Sequence, residues 1–165
     1  MPITGETFKQ IGRATTGTVA VISAVDGTRN GIVALTVSSF ITLSYSPPLC
    51  MFAIQDTSDS YTSLIEGVSF GVSLLSTSQS DIAQHFARKG REKTANCIFE
   101  RGSVMGVPLI PGAAAHIECR TERVFIAGDH AIVVGLIEAA RRFDHQPLLY
   151  FARQYGSFAP LVTSY

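Results

Sequence analysis

The chain has 165 residues and a mass of 17.7 kDa, which is enough for one domain that buries its own core without a disulfide or a metal. Its high hydrophobic content, 46%, excludes disorder as the main state. Lys and Arg total 13 and balance 13 Asp and Glu, so no sequence-wide basic field is available for nucleic acid or an anionic membrane. The charged fraction of 16% is below the roughly 25% usual for soluble domains. We therefore expect part of the exterior to be buried against a second copy, in a homodimer.

We expect neither a leader nor a membrane segment in this chain. Its first residues lack a basic region followed by an apolar one, and no apolar stretch approaches the ~20 residues of a membrane span. Cys50, Cys97 and Cys119 form neither a CxxC pair nor a disulfide framework, and each is expected in or beside a strand as an inert buried thiol. The sequence predicts a reduced, soluble, cytoplasmic protein.

In chain order, short helices separate strands rich in β-branched residues. The first half predicts a helix at 4–14, strands at 18–25, 31–38, 40–44 and 49–55, and a helix at 59–66 capped by Ser58 or Asp59. The second half predicts a strand at 70–75, a helix at 78–86, an irregular loop at 88–103, and strands at 113–126, 131–142 and 148–151. Because most strands follow one another as hairpins, the pattern indicates a single antiparallel β-barrel or sandwich domain over residues 1–165, with short peripheral helices.

The familiar catalytic motifs are absent. There is no GxxxxGK[ST], no GxGxxG, no GxSxG and no HExxH, so the sequence gives no support to a P-loop enzyme, a Rossmann dehydrogenase, an α/β-hydrolase or a zinc protease. No metal-ligand spacing accompanies His130, and we expect no metal site. His130 follows Gly128-Asp129 in a tight turn, where it is either an exposed turn residue or a donor to a ligand.

Two hydroxyl clusters and one basic run remain as candidate binding residues. Thr36, Val37, Ser38 and Ser39 end a predicted strand and serve either the turn backbone or a flat polar heterocycle. Ser58, Ser60 and Thr62 lie at a predicted helix start, where they serve as cap residues or bind a phosphate. The run after Phe86 places Arg88, Lys89 and two further cations before residue 94, as a solvated loop or a second phosphate contact.

Taken in order, these segments resemble the flavin reductase family with the FMN-binding split-barrel fold. The resemblance covers about residues 8–158 and is carried by the 36–40 segment, the helix start at 58–62, the pair Phe86-Ala87, and Gly128-Asp129-His130 followed by Pro147-Leu148-Leu149-Tyr150 and Tyr155. More closely, the chain is similar to the small NAD(P)H:flavin oxidoreductases that supply reduced flavin to two-component monooxygenases.

The resemblance implies an antiparallel split β-barrel that works as a homodimer with a flavin, FMN or FAD, at the interface. It assigns residues 36–39 to the isoalloxazine edge and Ser58, Ser60 and Thr62 to the flavin phosphate. It assigns Phe86, Arg88 and Lys89 to the segment that closes over the ribityl-phosphate side, and His130 and Tyr155 to the nicotinamide of NADH or NADPH. Ala34, Asp56 and Asp59 depart from the family pattern, and the 88–103 loop does not align with it.

The residues themselves suit this chemistry, because hydride transfer between two cofactors needs no acid, base or metal from the protein. The expected function is hydride transfer from NADH or NADPH to a flavin that is passed on to a partner monooxygenase. Two alternatives stay open at this point: a flavin-binding split-barrel protein without turnover, and a β-barrel carrier that binds no flavin.

Overall fold

The computed structural model describes residues 2–27 and 31–161 and shows a mainly antiparallel β architecture with peripheral helices. The helices are α1 (Gly5–Ala14), α2 (Tyr61–Ile65) and α3 (Ser80–Phe86), with short 3₁₀ turns at Thr77–Gln79 and Arg91–Thr94. The strands are β1 (Gly17–Thr18), β2 (Ala20–Asp26), β3 (Gly31–Val37), β4 (Ile41–Ser44), β5 (Leu49–Gln55), β6 (Ser69–Leu74), β7 (Glu100–Arg101), β8 (Pro108–Leu109), β9 (Ala115–Ala127), β10 (His130–Arg142), β11 (Leu149–Phe151) and β12 (Gln154–Gly156).

Seven strands form the main sheet, in the order β3-β2-β6-β9-β10-β5-β4. The two ends of this sheet approach each other just after β3. There the Ser39 hydroxyl donates to the Ala53 carbonyl of β5 at 3.1 Å and accepts the Ala53 N–H at 3.0 Å. These two bonds connect the β3 end of the sheet to β5, and the fold matches the predicted antiparallel split barrel.

The strand β2 is buried on both faces, which explains its nearly continuous apolar sequence. One face points into the barrel with Ile22, where Phe52 and Phe70 pack edge to face with their ring centroids 5.2 Å apart. The other face packs against α3 through Val21, Ala83 and neighbouring residues. Because both faces of β2 and β3 are covered, the end of β3 is held in a fixed place.

The segment around β8 is fastened to the sheet by buried polar groups. Ser23 donates a hydrogen bond to the Pro108 carbonyl, and Ser73 accepts the Ile110 N–H at 2.9 Å. The buried Glu118 carboxylate accepts the N–H of Met105 at 2.6 Å and that of Val104 at 3.2 Å. Burial raises the pKa of Glu118, but these donors outweigh it and hold that pKa below its ordinary value.

Two of the three cysteines are buried as predicted. Cys50 and Cys119 lie in the barrel core with their Sγ atoms 3.4 Å apart, and the hydrogen bond with Cys50 together with burial raises the pKa of Cys119 far above its usual range. The prediction that Cys97 lies in or beside a strand is wrong. It sits in the loop before β7, where its thiol donates to the Lys93 carbonyl.

The helices account for most other differences from the sequence-based expectation. The α2 helix starts at Tyr61 rather than 59, because neither Ser58 nor Asp59 caps it and Ser60 is the N-cap without a side-chain bond. The α1 helix forms as predicted with Thr4 as its cap, but all of its residues are exposed. Within the described ranges, no helix is both long and apolar enough to span a membrane.

Candidate functional site

An open groove of ≈ 370 Å³ lies where β3 and β5 end and where α3 gives way to the basic loop. It brings together nine of the twelve residues predicted as site residues: Thr36, Val37, Ser38, Ser39, Ser58, Phe86, Arg88, Lys89 and His130. One wall is therefore the hydroxyl-bearing end of β3, and the opposite wall is the start of the 88–93 loop. The chain order of these segments gives no hint that they meet; the barrel closure at Ser39 puts them together.

The hydroxyls of Thr36, Ser38 and Ser39, at the end of β3, differ in their hydrogen bonds. The Thr36 hydroxyl donates to the Ala83 carbonyl of α3 at 2.8 Å, and the Ser39 hydroxyl is used by Ala53. Val37 buries its side chain in the core, so it offers the groove only its backbone. Ser38 is exposed and makes no side-chain hydrogen bond within the described residues, which leaves its hydroxyl for a ligand.

A close backbone contact fixes the position of Ser38. Gly17, at the start of β1, packs against the residue so tightly that a Cβ on Gly17 would lie 2.4 Å from the Ser38 carbonyl oxygen. A separation below 3.0 Å is too short for any real Cβ contact, so only glycine fits there. The groove wall formed by the end of β3 therefore lies directly against the segment that follows α1.

Asp59, which the sequence presents as a departure from the resembled family, lines the groove, but its carboxylate is engaged by the loop backbone. Its carboxylate accepts the Gly90 N–H at 2.7 Å and so ties the turn after α2 to the basic loop. Gly90 adopts φ = +105°, a conformation that other residues rarely take. The Asp59 carboxylate, which alone would repel a phosphate, thus holds the loop that carries Arg88 and Lys89 at the groove. We call this Asp59–Gly90 hydrogen bond the latch.

Lys93 reinforces the same wall from behind. Its Nζ donates to the carbonyls of Phe86 at 3.0 Å and Arg88 at 2.9 Å, where it satisfies the C-terminal end of α3. Burial lowers the pKa of Lys93, while the nearby Asp59 carboxylate counteracts that effect. Lys93 also lines the groove, so its charge adds to the local positive potential. The side chain of Arg91, the other cation of this run, lies outside the described part of the structure.

His130, the first residue of β10, also lines the groove. It pairs with Gln55 across the sheet, and its Nδ1 is 2.7 Å from the Asp129 carboxylate. This hydrogen bond lowers the pKa of Asp129 and orients the imidazole, because Nδ1–H donates and Nε2 is left to face a ligand. An oriented imidazole is suited to binding, and within the described residues Asp129 is the one titratable side chain that bonds to it.

Three predicted site residues lie outside this groove of the single chain, and their assignment to the flavin or the nicotinamide stays a prediction. Ser60 is buried, and its hydroxyl reaches the Ala34 carbonyl at 3.4 Å. Thr62 is exposed on α2, outside the groove lining. Tyr155 lines a separate small cavity with Thr77 and Ser80, because the β11–β12 hairpin stacks it on Tyr150 with the ring centroids 5.3 Å apart.

Sequence reasoning also missed several groove residues. Gln55 and Thr57 carry no motif, and they line the groove only because β5 ends there. Asp59 and Lys93 act through backbone contacts that the sequence does not reveal. The remaining lining residues are Leu35, Ala53, Ile54 and Ala87.

The groove chemistry is one of binding and orientation. Cations, neutral hydroxyl and backbone groups, and an imidazole line the same groove. In residues 2–27 and 31–161 there is no group of three or more His, Cys, Asp or Glu side chains that could hold a metal ion. Such a groove suits an elongated ligand with an anionic tail and a flat polar head.

Comparison with known proteins agrees with this geometry. Residues 11–159 match the family described as "Flavin reductase like domain". The chain is 34% identical over 149 residues to the FMN reductase (NADH) SmoA of Agrobacterium fabrum, a match that covers 90% of this chain and 83% of the relative.

Two solved structures are similar over nearly their full length. The NADH:FAD oxidoreductase SgcE6 of Streptomyces globisporus, in complex with NAD and FAD fragments, superimposes with a TM-score of 0.86 at 27% identity and 99% coverage of both chains. The styrene monooxygenase flavin reductase of Pseudomonas putida S12 gives a TM-score of 0.82 at 30% identity, covering 93% of this chain and 99% of the other. The predicted family and split-barrel fold are confirmed: this chain belongs to the flavin reductase like domain family.

Proposed function

We propose that the chain is an NAD(P)H-dependent flavin reductase that uses FMN or FAD in the groove between β3, β5 and the basic loop. The carrying observation is that one groove joins the cations Arg88 and Lys89, the unpartnered Ser38 hydroxyl and the oriented His130. The match to the FMN reductase SmoA and the likeness to SgcE6 support the same activity. A cytoplasmic location is part of the proposal, because reduced nicotinamide nucleotides are available there.

The residues present fit a flavin nucleotide. Arg88 and Lys89 are exposed at the groove and complement a phosphate, and the Ser58 hydroxyl retains its proton as a donor because it accepts the Ser60 N–H at 3.3 Å. The end of β3 offers neutral groups to the ring system, with Ser38 as the free hydroxyl. A neutral lining adds no fixed charge beside an electron-rich reduced ring.

A flavin bound there accepts a hydride from the reduced nicotinamide, and a proton from solvent completes its reduction. The protein's task is to hold the two rings with their reacting atoms about 3–3.5 Å apart. We assign His130 to the nicotinamide side, as the resemblance implies; Asp129 holds its imidazole in one orientation in the groove lining. Tyr155 lines a different cavity of the same chain, so we do not place it beside His130 at one nicotinamide within a single chain.

We further propose a homodimer, for which two unpartnered apolar surfaces provide the contact. The outer face of the β5–β10–β9 sheet carries Ala53, Ile132 and Phe125 side by side in register, and Phe125 is half exposed. Ala53 also lines the groove, so a copy seated on this face would border the ligand. The α1 helix exposes Phe8 and Ile11 on one face, and a helix of ten residues needs such a face covered.

The reduced flavin is proposed to pass to a partner monooxygenase. Support comes from the likeness to the styrene monooxygenase flavin reductase. The groove is open to solvent, since Ser38, Arg88 and Lys89 are all exposed. An open groove agrees with a flavin that leaves after reduction.

A steady-state assay of NADH and NADPH with FMN and FAD, followed by nicotinamide absorbance, tests the activity. We expect flavin-dependent oxidation of at least one of the two nicotinamide nucleotides. Riboflavin should be a poorer substrate than FMN, and this difference between the two flavins should be smaller in Arg88→Ala. Flavin binding without nucleotide oxidation would support the non-catalytic alternative. Equal use of riboflavin and FMN would remove the phosphate role of Arg88.

Sedimentation at micromolar concentration should give about twice the chain mass, and a catalytically active monomer would refute the dimer.

A further inference from the structure

A small cavity of ≈ 170 Å³ lies between the β7–β8 hairpin and the strands β9 and β10. No described residue lines both this cavity and the groove of the proposed function. The volume corresponds to roughly six water molecules, so an occupant has to be small. The lining combines charged side chains of β7, β9 and β10 with apolar surface from Leu109, Ala139, Ala140 and Phe143.

Both carboxylates of this lining are bonded to other groups of the chain. Glu100 Oε1 is 2.9 Å from Nδ1 of the buried His116, whose Nε2 donates to the Ile110 carbonyl at 2.7 Å. The buried Glu118 accepts hydrogen bonds at both of its oxygens from the loop before β8, including the Met105 N–H at 2.6 Å. These contacts leave neither acid paired with an arginine.

Two guanidinium groups of the same lining lack an ionic partner. Arg101 of β7 and Arg141 of β10 are exposed, and within residues 2–27 and 31–161 neither guanidinium makes a hydrogen bond or an ion pair. Each is nevertheless packed against the protein. A Cβ on Gly106 would lie 2.8 Å from Arg101 Nε, so the glycine leaves the space that this side chain fills. The Arg141 guanidinium carbon lies 4.9 Å from the centre of the Phe143 ring, a cation–π contact that leaves the N–H groups in its plane free to donate.

The character of the lining selects a singly charged anion. The two guanidiniums are donors that bind a carboxylate through pairs of N–H···O bonds. Glu118 and Glu100 also carry negative charge, so the higher charge of a phosphate is repelled more than the single charge of a carboxylate. The surface of Leu109 and Phe143 suits a short apolar body next to that carboxylate.

We propose that this cavity binds a small carboxylic acid as its monoanion, with the carboxylate bonded to Arg101 and Arg141 and the apolar part against Phe143. The site is separate from the flavin groove, and the proposal does not depend on the reductase activity. A chain without that activity would still bind the acid, and a chain that reduces flavin but binds no carboxylate would leave the proposed function standing.

Calorimetric titration of the full chain with benzoate at neutral pH and low salt tests the site, because salt screens exposed charges. Benzamide has nearly the same shape without the charge, so it should bind at least about tenfold more weakly than benzoate. Arg101→Met and Arg141→Met should each weaken benzoate binding about tenfold. Arg142→Met is the matched control, since Arg142 is an exposed neighbour of the same charge outside the cavity lining.

A variant of the flavin groove shows where the benzoate binds. Benzoate affinity should be the same in Arg88→Ala, Arg142→Met and the wild type, because neither change touches the cavity. The proposal is overturned if the wild type binds benzoate no better than benzamide, or if Arg101→Met and Arg141→Met bind benzoate as the wild type does. It is also overturned if Arg88→Ala weakens benzoate binding as much as they do. The comparison of benzoate with benzamide needs no variant, so it decides even where a substitution impairs folding.

Discussion

The contact between Asp59 and Gly90 makes a prediction whose sign separates two explanations. Replacing Asp59 by Ala removes a negative charge near the phosphate end of the groove, and simple Coulomb attraction then predicts tighter FMN binding. The structure predicts the opposite, because the carboxylate holds the Gly90 N–H at 2.7 Å and thereby keeps Arg88 and Lys89 at the groove. Loss of the latch releases the loop and weakens FMN binding.

The magnitude follows from the type of bond. A hydrogen bond to a charged group contributes about 1.5–3 kcal/mol, and the half-buried position of Asp59 reduces this to about 1–2 kcal/mol. If this hydrogen bond stabilises the ordered loop by that free energy, its loss should raise the KM for FMN by a factor of about 5–30 in Asp59→Ala. Riboflavin has no phosphate, so its KM should change less than about twofold.

The assay is steady-state NADH oxidation with FMN and with riboflavin as acceptor. Asp59→Asn keeps an acceptor oxygen and should recover part of the FMN affinity, which a general loss of folding would not allow. Asp56→Ala is the control, because this exposed neighbour carries the same charge and does not touch the loop. An FMN KM that falls or stays constant in Asp59→Ala would show that the latch does not position the cations.

Other residues give predictions of their own. His130→Ala should raise the KM for NADH about 5–30-fold through loss of a ground-state contact, with flavin affinity unchanged in a titration; equal loss of both affinities would place His130 elsewhere. Ser39→Ala leaves the Ala53 N–H and carbonyl without their partner and should lower the free energy of unfolding by about 1–3 kcal/mol in urea, and an unchanged midpoint would mean that the barrel closes without it. Glu118 has a lowered pKa, so its contribution to stability is complete above the ordinary value of 4.5 and is lost as the pH falls through the lowered one; Glu118→Gln should therefore be less stable than the wild type at pH 7 and nearly equal to it near pH 2, and a constant difference in melting temperature across this range would contradict the role of its ionised form.

The positions of the long strands along the chain could be predicted because they rest on local signals, and the family could be predicted from the resemblance of several segments taken in order. Alternation, β-branched runs and turn dipeptides such as Gly128-Asp129 fix the long strands, and β9 and β10 were predicted within two residues of their bounds. The two-residue strands β7 and β8 and the β12 strand were missed. They exist because the surrounding chain brings them to a partner, as when β12 folds back on β11 and stacks Tyr155 on Tyr150.

The groove was predictable by resemblance and only partly from the residues. Side-chain type does not say which hydroxyl is already used: Ser39 and Ser60 look like Ser38 in the sequence, yet one closes the barrel and the other is buried against the Ala34 carbonyl. The role of Asp59 depends on a contact with Gly90, 31 positions away. Such long-range pairing carries no local signal, so sequence reasoning could only register the aspartate as a departure.

The Gly17 contact has a practical consequence for anyone who dissects this protein by truncation or tagging. The chain leaves α1 and within three residues presses its backbone against Ser38, with no side chain to act as a spacer. We therefore expect a tag or a deletion in α1, made to study self-association, to shift Ser38 and the groove wall to which it belongs. Changes in assembly and in flavin affinity will be correlated in such variants even when neither causes the other. Phe125→Asp changes the proposed dimer contact without touching α1 or Gly17, so it separates the effect of losing the dimer from the effect of this backbone contact.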